Sequence, residues 1–207
     1  VFVKDQKTID ELSSEFDVVG PSILKSMKKN GDTERFFDIG LHVRTLNPKP
    51  QQRFWTSGPD DFEIELGHSF VYCEPVFKRG NSYNLAKKKF FPYYNESLRK
   101  KRLKEVGKFC LNNIEHIEPY VKRDLYFQAF KRLHDAAKEF LQVLFISKKV
   151  YPLDYDKWVE YELVEILKMP KLYKEFISLY ELKKLESSEL ISKGKHLRNL
   201  FKKYIKN

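Results

Sequence analysis

The sequence predicts an α+β protein, a small mixed sheet with short helices followed by a C-terminal up-down helical bundle. Period-two alternation marks FFDIGLHVRT at 36–45 and FEIELGHSFVYCEPVF at 62–77. Turn and loop signals interrupt the chain between them, at Asn47-Pro48-Lys49-Pro50 and Ser57-Gly58-Pro59-Asp60. From about Asn95 onward the apolar residues recur at helical spacing instead. The expected division is an α+β part at 1–90 and a helical bundle at 91–207, with the junction near residues 80–95.

Taken in order, Thr8-Ile9-Asp10-Glu11 is a capping-box pattern that opens a short helix running through Phe16. Gly20-Pro21 signals a turn, and Ile23 to Lys29 form a second short helix. In the strand at 36–45, Phe37, Ile39, Leu41 and Val43 share one face, and Asp38, Gly40, His42 and Arg44 the other. In the next run Phe62, Ile64 and Leu66 alternate with Glu63 and Glu65. Gly67-His68 then makes either a hairpin or one long bulged strand. Pro75 marks that strand as an edge or as its end.

Asn95 is a suitable N-cap for a helix to about Asn113, with Glu96 in its first turn. Pro119 precedes a long helix at 120–148, where Tyr126, Phe127, Phe130, Leu133, Ala137, Phe140, Leu141 and Leu144 form a wide apolar stripe. Asp154 can cap a third helix carrying Trp158, Tyr161, Val164 and Leu167, which Pro170 ends or breaks. Segments 171–183 and 187–205 supply one or two more. Short connections make antiparallel neighbours of these helices.

Composition narrows the functional classes. Hydrophobic residues make up 42% of the chain and include seventeen Phe and twelve Tyr, enough large side chains to build a core. No stretch approaches the ~18 apolar residues of a membrane span, so no membrane partner and a cytoplasmic location are expected. Cys73 and Cys110 fall in no C-x-x-C pair and read as buried free thiols. The chain opens Val1-Phe2-Val3 without a Met, which leaves room for a segment upstream. Thirty-nine Lys+Arg against twenty-nine Asp+Glu give a net charge of +10. Either the partner is a polyanion, a nucleotide or nucleic acid, or the surface is simply lysine-rich.

Lys87-Lys88-Lys89 and Arg99-Lys100-Lys101-Arg102 flank Phe90-Phe91-Pro92-Tyr93-Tyr94. Basic residues interleaved with aromatics can track a phosphate backbone and stack on bases. The plainer reading, preferred here, is a solvated linker and an exposed helix face. The basic tail from Ser192 to Asn207 is open to the same two readings. Lys131 and Arg132 would suit a triphosphate if the long helix lined a cleft, and are otherwise its wet face. Trp158 and Tyr161 read as core rather than as a stacking site. No P-loop, dinucleotide fingerprint, G-x-S-x-G or H-E-x-x-H motif is present, which removes several large enzyme classes.

Residues 118–173, EPYVKRDLYFQAFKRLHDAAKEFLQVLFISKKVYPLDYDKWVEYELVEILKMPKLY, add a resemblance. Their long helix, Tyr151-Pro152 turn, Asp156-Lys157-Trp158 helix start and Leu167-Lys168-Met169-Pro170 stop resemble the helical domain of nucleotidyltransferase-like proteins. Those proteins join a polymerase-beta-type catalytic half to a kanamycin-nucleotidyltransferase-like bundle. IELGHSFVYCEPVFKRG at 64–80 resembles the strand that links the two halves.

The resemblance implies transfer of a nucleoside monophosphate from a nucleoside triphosphate, with Mg²⁺, to an acceptor it does not name. It aligns Val19-Gly20-Pro21-Ser22 with the family's Gly-Ser helix start, making Gly20 and Ser22 nucleotide-binding candidates beside Lys131 and Arg132. Asp38 takes the place of the first acid of Asp-x-Asp, and Glu63 or Glu65 that of the third carboxylate. These three are the catalytic and metal candidates. Gly40 stands where the second acid belongs, and glycine cannot supply the missing charge to Mg²⁺. The alternative is a non-catalytic nucleotide- or nucleic-acid-binding or scaffold protein whose active site has decayed, or a catalytic strand that lies upstream of Val1.

Overall fold

The computed structural model describes residues 2–3, 5–29, 43–45, 71–72, 74–77, 80–90, 96–153 and 156–205, and over these it is mainly helical. Two compact units are present, residues 1–49 and residues 50–207.

In the first unit, the Asp5 carboxylate accepts hydrogen bonds from the backbone N–H and the hydroxyl of Thr8, each at 2.9 Å. Asp5 therefore does the N-cap work that the sequence pattern assigned to Thr8. Helix α1 runs from Gln6 to Lys29 without a break, with Pro21 inside it. This corrects the expectation of two short helices about a Gly20-Pro21 turn. Ile9, Leu12, Phe16, Gly20 and Leu24 keep helical spacing across the proline and form the less exposed side of α1. The helix thus accommodates a local breaker that costs an isolated helix about 3 kcal/mol.

The expected mixed sheet is the larger correction. Extended pairing among the described residues amounts to Phe2–Val3 (β1) beside Arg44–Thr45 (β2), parallel and two residues on each side. Residues 71–72 are helical and 74–77 have no regular structure, with Val76 and Phe77 exposed. The described part of the 69–77 stretch is therefore not the edge strand its alternation suggested. Pro75 offers no N–H to a ladder, and alternation makes a strand only where a neighbour supplies partners. The other alternating residues, 36–42 and 62–66, lie outside the described residues.

The second unit holds the core. Helix α2 spans Ser82–Phe90, α3 Glu96–Val121 and α4 Tyr126–Lys148. Helix α3 continues well past the expected end at Asn113, and Pro119 sits inside its last turns. Cys110, Ile114, Ile117 and Val121 are buried on one side of it, so this stretch is core rather than connection. A tight turn follows, with Asp124 at φ 57° and the Leu125 N–H bonded to the Tyr120 carbonyl, and α4 returns antiparallel. Beyond α4 come a 3₁₀ turn at Asp156–Trp158, a short α5 at Val159–Tyr161 and a π-helical turn at Glu162–Ile166. Pro170 starts the next helix, α6 at Pro170–Ile177, in the N-terminal position where a missing N–H does no harm. Helix α7 spans Glu189–Tyr204.

Gly194 of α7 lies against Ile117 of α3, and Phe201 against Gly107. The reversed order makes the two helices antiparallel. A Cβ at position 194 would sit 2.8 Å from Ile117 Cδ1, so glycine permits this approach. Phe140 of α4 joins the layers: it is fully buried, stacked on Phe176 of α6 and tilted against Phe201 of α7, both with centroids 6.5 Å away. Leu133, Ala137, Phe140 and Leu144 of the expected stripe are fully buried, whereas Phe127 in the first turn of α4 is 80% exposed.

Candidate nucleic-acid interface

Helix α3 begins with ESLRKKRLKEVGK, and its register distributes the cations by role. The Arg99 Nε donates to Glu96 Oε2 at 2.9 Å, and Lys149 at the C-cap of α4 reaches the same carboxylate at 3.1 Å. Hydrogen bonds from Arg99 and then Lys149 hold the Glu96 carboxyl down at about 2. This triad ties the start of α3 to the end of α4. Lys100, Lys101, Lys104 and Lys108 instead point to solvent. Lys100, Lys104 and Lys108 follow one another at i, i+4 spacing and so line one face over two turns. Lys101 approaches Glu105 at 3.9 Å; the other three have no ion-pair partner among the described residues.

Helix α7 contributes to the same end of the bundle. The Phe201 ring lies 3.4 Å from where a Cβ on Gly107 would be, and Phe201 packs with Leu103 and Ile205 against Val106, Val143 and Ile146. Exposed Lys202, the next residue, therefore belongs beside the lysine-bearing half of α3. Lys203, on the other side of α7, is occupied: it donates to Glu175 Oε1 at 2.7 Å, and the Tyr204 hydroxyl donates to Oε2 at 3.0 Å. Those bonds, the lysine's first, pull the Glu175 carboxyl below its ordinary range.

The candidate nucleotide-binding residues fall in two places. Gly20 and Ser22 belong to the unit at 1–49 and lie within α1. A Cβ at Gly20 would meet the Phe16 ring at 3.2 Å, and the Ser22 hydroxyl donates to the Val19 carbonyl at 2.7 Å. Lys131 and Arg132 belong to the other unit, on α4. Lys131 donates to Asp135 at 2.6 Å, one turn along. Arg132 donates to Asn113 Oδ1 at 2.6 Å and lies over the Tyr120 ring, 5.9 Å from its centroid. The Asn113 amide in turn donates to Glu139 Oε2 at 2.9 Å. Asn113 and Glu139 are both buried, and burial is the main cause that pushes the Glu139 carboxyl up to about 7. Cys110 is a buried free thiol bonded to the Ala136 carbonyl.

Asp38, Glu63 and Glu65 lie outside the described residues, and no step through Mg²⁺ is derived from them. Among the described residues no cluster of His, Cys, Asp or Glu is placed to hold a metal ion. No helix among them is long and apolar enough to cross a membrane.

The sequence reading misassigned one functional candidate. Trp158 and Tyr161, expected in the core, are 42% and 50% exposed, with ring centroids 6.3 Å apart at 67°. Their helical spacing resembled a core stripe, but the helix there is only a 3₁₀ turn, three α residues and a π turn, so the periodicity does not hold. In comparisons with known proteins, the chain matches no protein-family model, no curated protein and no solved structure.

Proposed function

We propose that this protein binds nucleic acid through the lysine face at the start of α3, with Lys202 of α7 beside it. One observation carries the reading: Lys100, Lys104 and Lys108 share a face and have no ion-pair partner among the described residues. That arrangement works against the helix itself. Like charges at i, i+4 cost roughly 0.2–0.5 kcal/mol per pair. A row of phosphates removes that penalty and releases condensed counterions on binding.

The test is fluorescence anisotropy of a labelled oligonucleotide over a range of salt concentrations. Replacing Lys100, Lys104 and Lys108 together by Gln is expected to weaken binding at least tenfold. It should also flatten the log–log salt dependence by about 2, from ~0.7 per phosphate contact on a single strand. Unchanged affinity and slope would overturn the assignment.

The resemblance of residues 118–173 supports a second reading, Mg²⁺-dependent transfer of a nucleoside monophosphate from a nucleoside triphosphate with Asp38, Glu63 and Glu65 as metal ligands. A labelled-NTP panel with Mg²⁺ or Mn²⁺ tests it directly. Pyrophosphate release lost in Asp38→Ala is its expected signature.

A further inference from the structure

We infer that Trp158 and Tyr161 form a stacking corner for an unpaired base, so that the nucleic acid this surface takes is single-stranded. This rests on the nucleic-acid reading above and narrows it. Two rings with centroids 6.3 Å apart at 67° form an open corner: a planar base laid on one ring meets the edge of the other. Both are substantially exposed. Lys157 places its ammonium over the Trp158 ring, 5.4 Å from the centroid, so a stacked base would take the ring's other face.

The surroundings hold the corner outward. Glu162, the next residue, is buried and accepts the Leu153 N–H at 2.6 Å, which anchors the segment to the chain leaving α4. The Tyr72 hydroxyl donates to the Tyr151 carbonyl at 2.7 Å; burial first, then Glu162 and Tyr161, pushes it up to about 12. Glu160 hydrogen-bonds Tyr173, and Glu165 pairs with Lys168.

The corner also lies at the lysine end of the bundle. Lys149 is bonded to Glu96 at the start of α3, and Leu153 is four residues further along. Four residues span at most about 14 Å, so Leu153, which Glu162 holds, is within the reach of a few nucleotides from the α3 face. On this proposal a strand lays phosphates on Lys100, Lys104 and Lys108 and a base on Trp158. Duplex DNA keeps its bases paired and stacked on one another, out of reach of such a corner.

The experiment uses the full chain with Trp55→Phe, which leaves Trp158 as the sole indole. It is titrated with a short single-stranded oligothymidylate, with an abasic deoxyribose-phosphate polymer of equal length, and with a duplex. Thymidylate is expected to quench Trp158, whereas the abasic polymer leaves it unquenched. In the native background, Trp158→Ala should weaken thymidylate binding by roughly fivefold to a hundredfold, with Trp158→Phe retaining most of it. Affinity for the abasic polymer should not change. Equal binding of thymidylate and abasic polymer, with Trp158→Ala without effect, would overturn the stacking corner and leave the lysine face standing. Tighter binding of duplex than of single strand would overturn it as well. Failure of every polymer to bind would overturn the lysine face together with the corner.

Discussion

The two halves of α3 belong to one continuous helix and treat charge in opposite ways. From Cys110 to Val121 the outward acids are met from within the bundle: Arg198 of α7 lies 3.2 Å from Glu115, and Lys122 lies 2.7 Å from Glu118. Even the buried polar residue there, Asn113, has partners on both sides, in Arg132 and Glu139. From Glu96 to Lys108 there are two acids as well, Glu96 taken by Arg99 and Lys149 and Glu105 approached by Lys101, while Lys100, Lys104 and Lys108 project outward without ion-pair partners among the described residues. One half has its charges met within the chain; in the other, three lysines have no ion-pair partner among the described residues. The proposed binding face rests on that contrast, which net charge does not reveal because it says nothing about pairing.

The largest expected effect tests the completed half. Phe140 bridges α4, α6 and α7, and Phe140→Ala should cost about 3–5 kcal/mol in urea denaturation, the usual loss for a buried aromatic. A loss below ~1 kcal/mol would mean that the three helices do not share this core.

The buried carboxyl comes next. A carboxyl held near 7 when folded and near its ordinary 4.5 when unfolded binds more protons in the folded state between those values. Its contribution is therefore fully present below about 4.5 and is lost as pH rises through about 7, by an amount on the order of 3 kcal/mol or less. Glu139→Gln should flatten the fall in stability across that window. Glu96, held near 2, acts in a separate and lower window and in the opposite sense, contributing above its ordinary value of 4.5 and losing that contribution as pH falls toward 2. Denaturation curves at a series of pH values separate the two.

Gly194→Leu probes the α3–α7 contact. Ile117 would have to move, and overpacking of this kind costs about 1–3 kcal/mol. The melting temperature should fall while oligonucleotide affinity stays unchanged at temperatures where the variant is folded.

The smallest effect on stability is the sharpest on the contrast. Lys104→Glu places an acid between Lys100 and Lys108 at i, i+4 on both sides, and should stabilise the helix by roughly 0.2–0.5 kcal/mol per pair. The same change should weaken oligonucleotide binding. A variant that is more stable and binds less well is what a face shaped for an external partner requires; a parallel change in both would contradict it.

Much of the helical half was legible in advance. The stripe Leu133, Ala137, Phe140, Leu144 repeats at helical spacing over a long enough stretch that only one period fits it, and those residues are buried. The segments at 171–183 and 187–205 contain α6 with its 3₁₀ extension and α7. Phe127 failed because periodicity marks a side of a helix but not where along its axis the neighbours end. The candidate site was harder to read. The Arg99–Arg102 cluster was visible and was read as an ordinary solvated face; that Arg99 shares Glu96 with Lys149 depends on contacts made only after folding. Trp158 and Tyr161 were assigned to the core for a related reason: spacing cannot reveal a helix that changes from 3₁₀ to α to π within a few residues.

By itself the sequence determined the length and apolar faces of the long helices, the excess of lysine and the absence of the familiar nucleotide-loop motifs. These follow from local spacing and composition, which act without a partner segment. Tertiary structure decided which prolines matter and which charges remain unmet. Pro119 sits inside a helix because burial of Ile117 and Val121 outweighs a lost hydrogen bond, and Pro21 sits inside α1 as well. It also decided that the alternation makes no strand at the described residues 71–72 and 74–77, because a strand exists only in the hydrogen bonds of its neighbour.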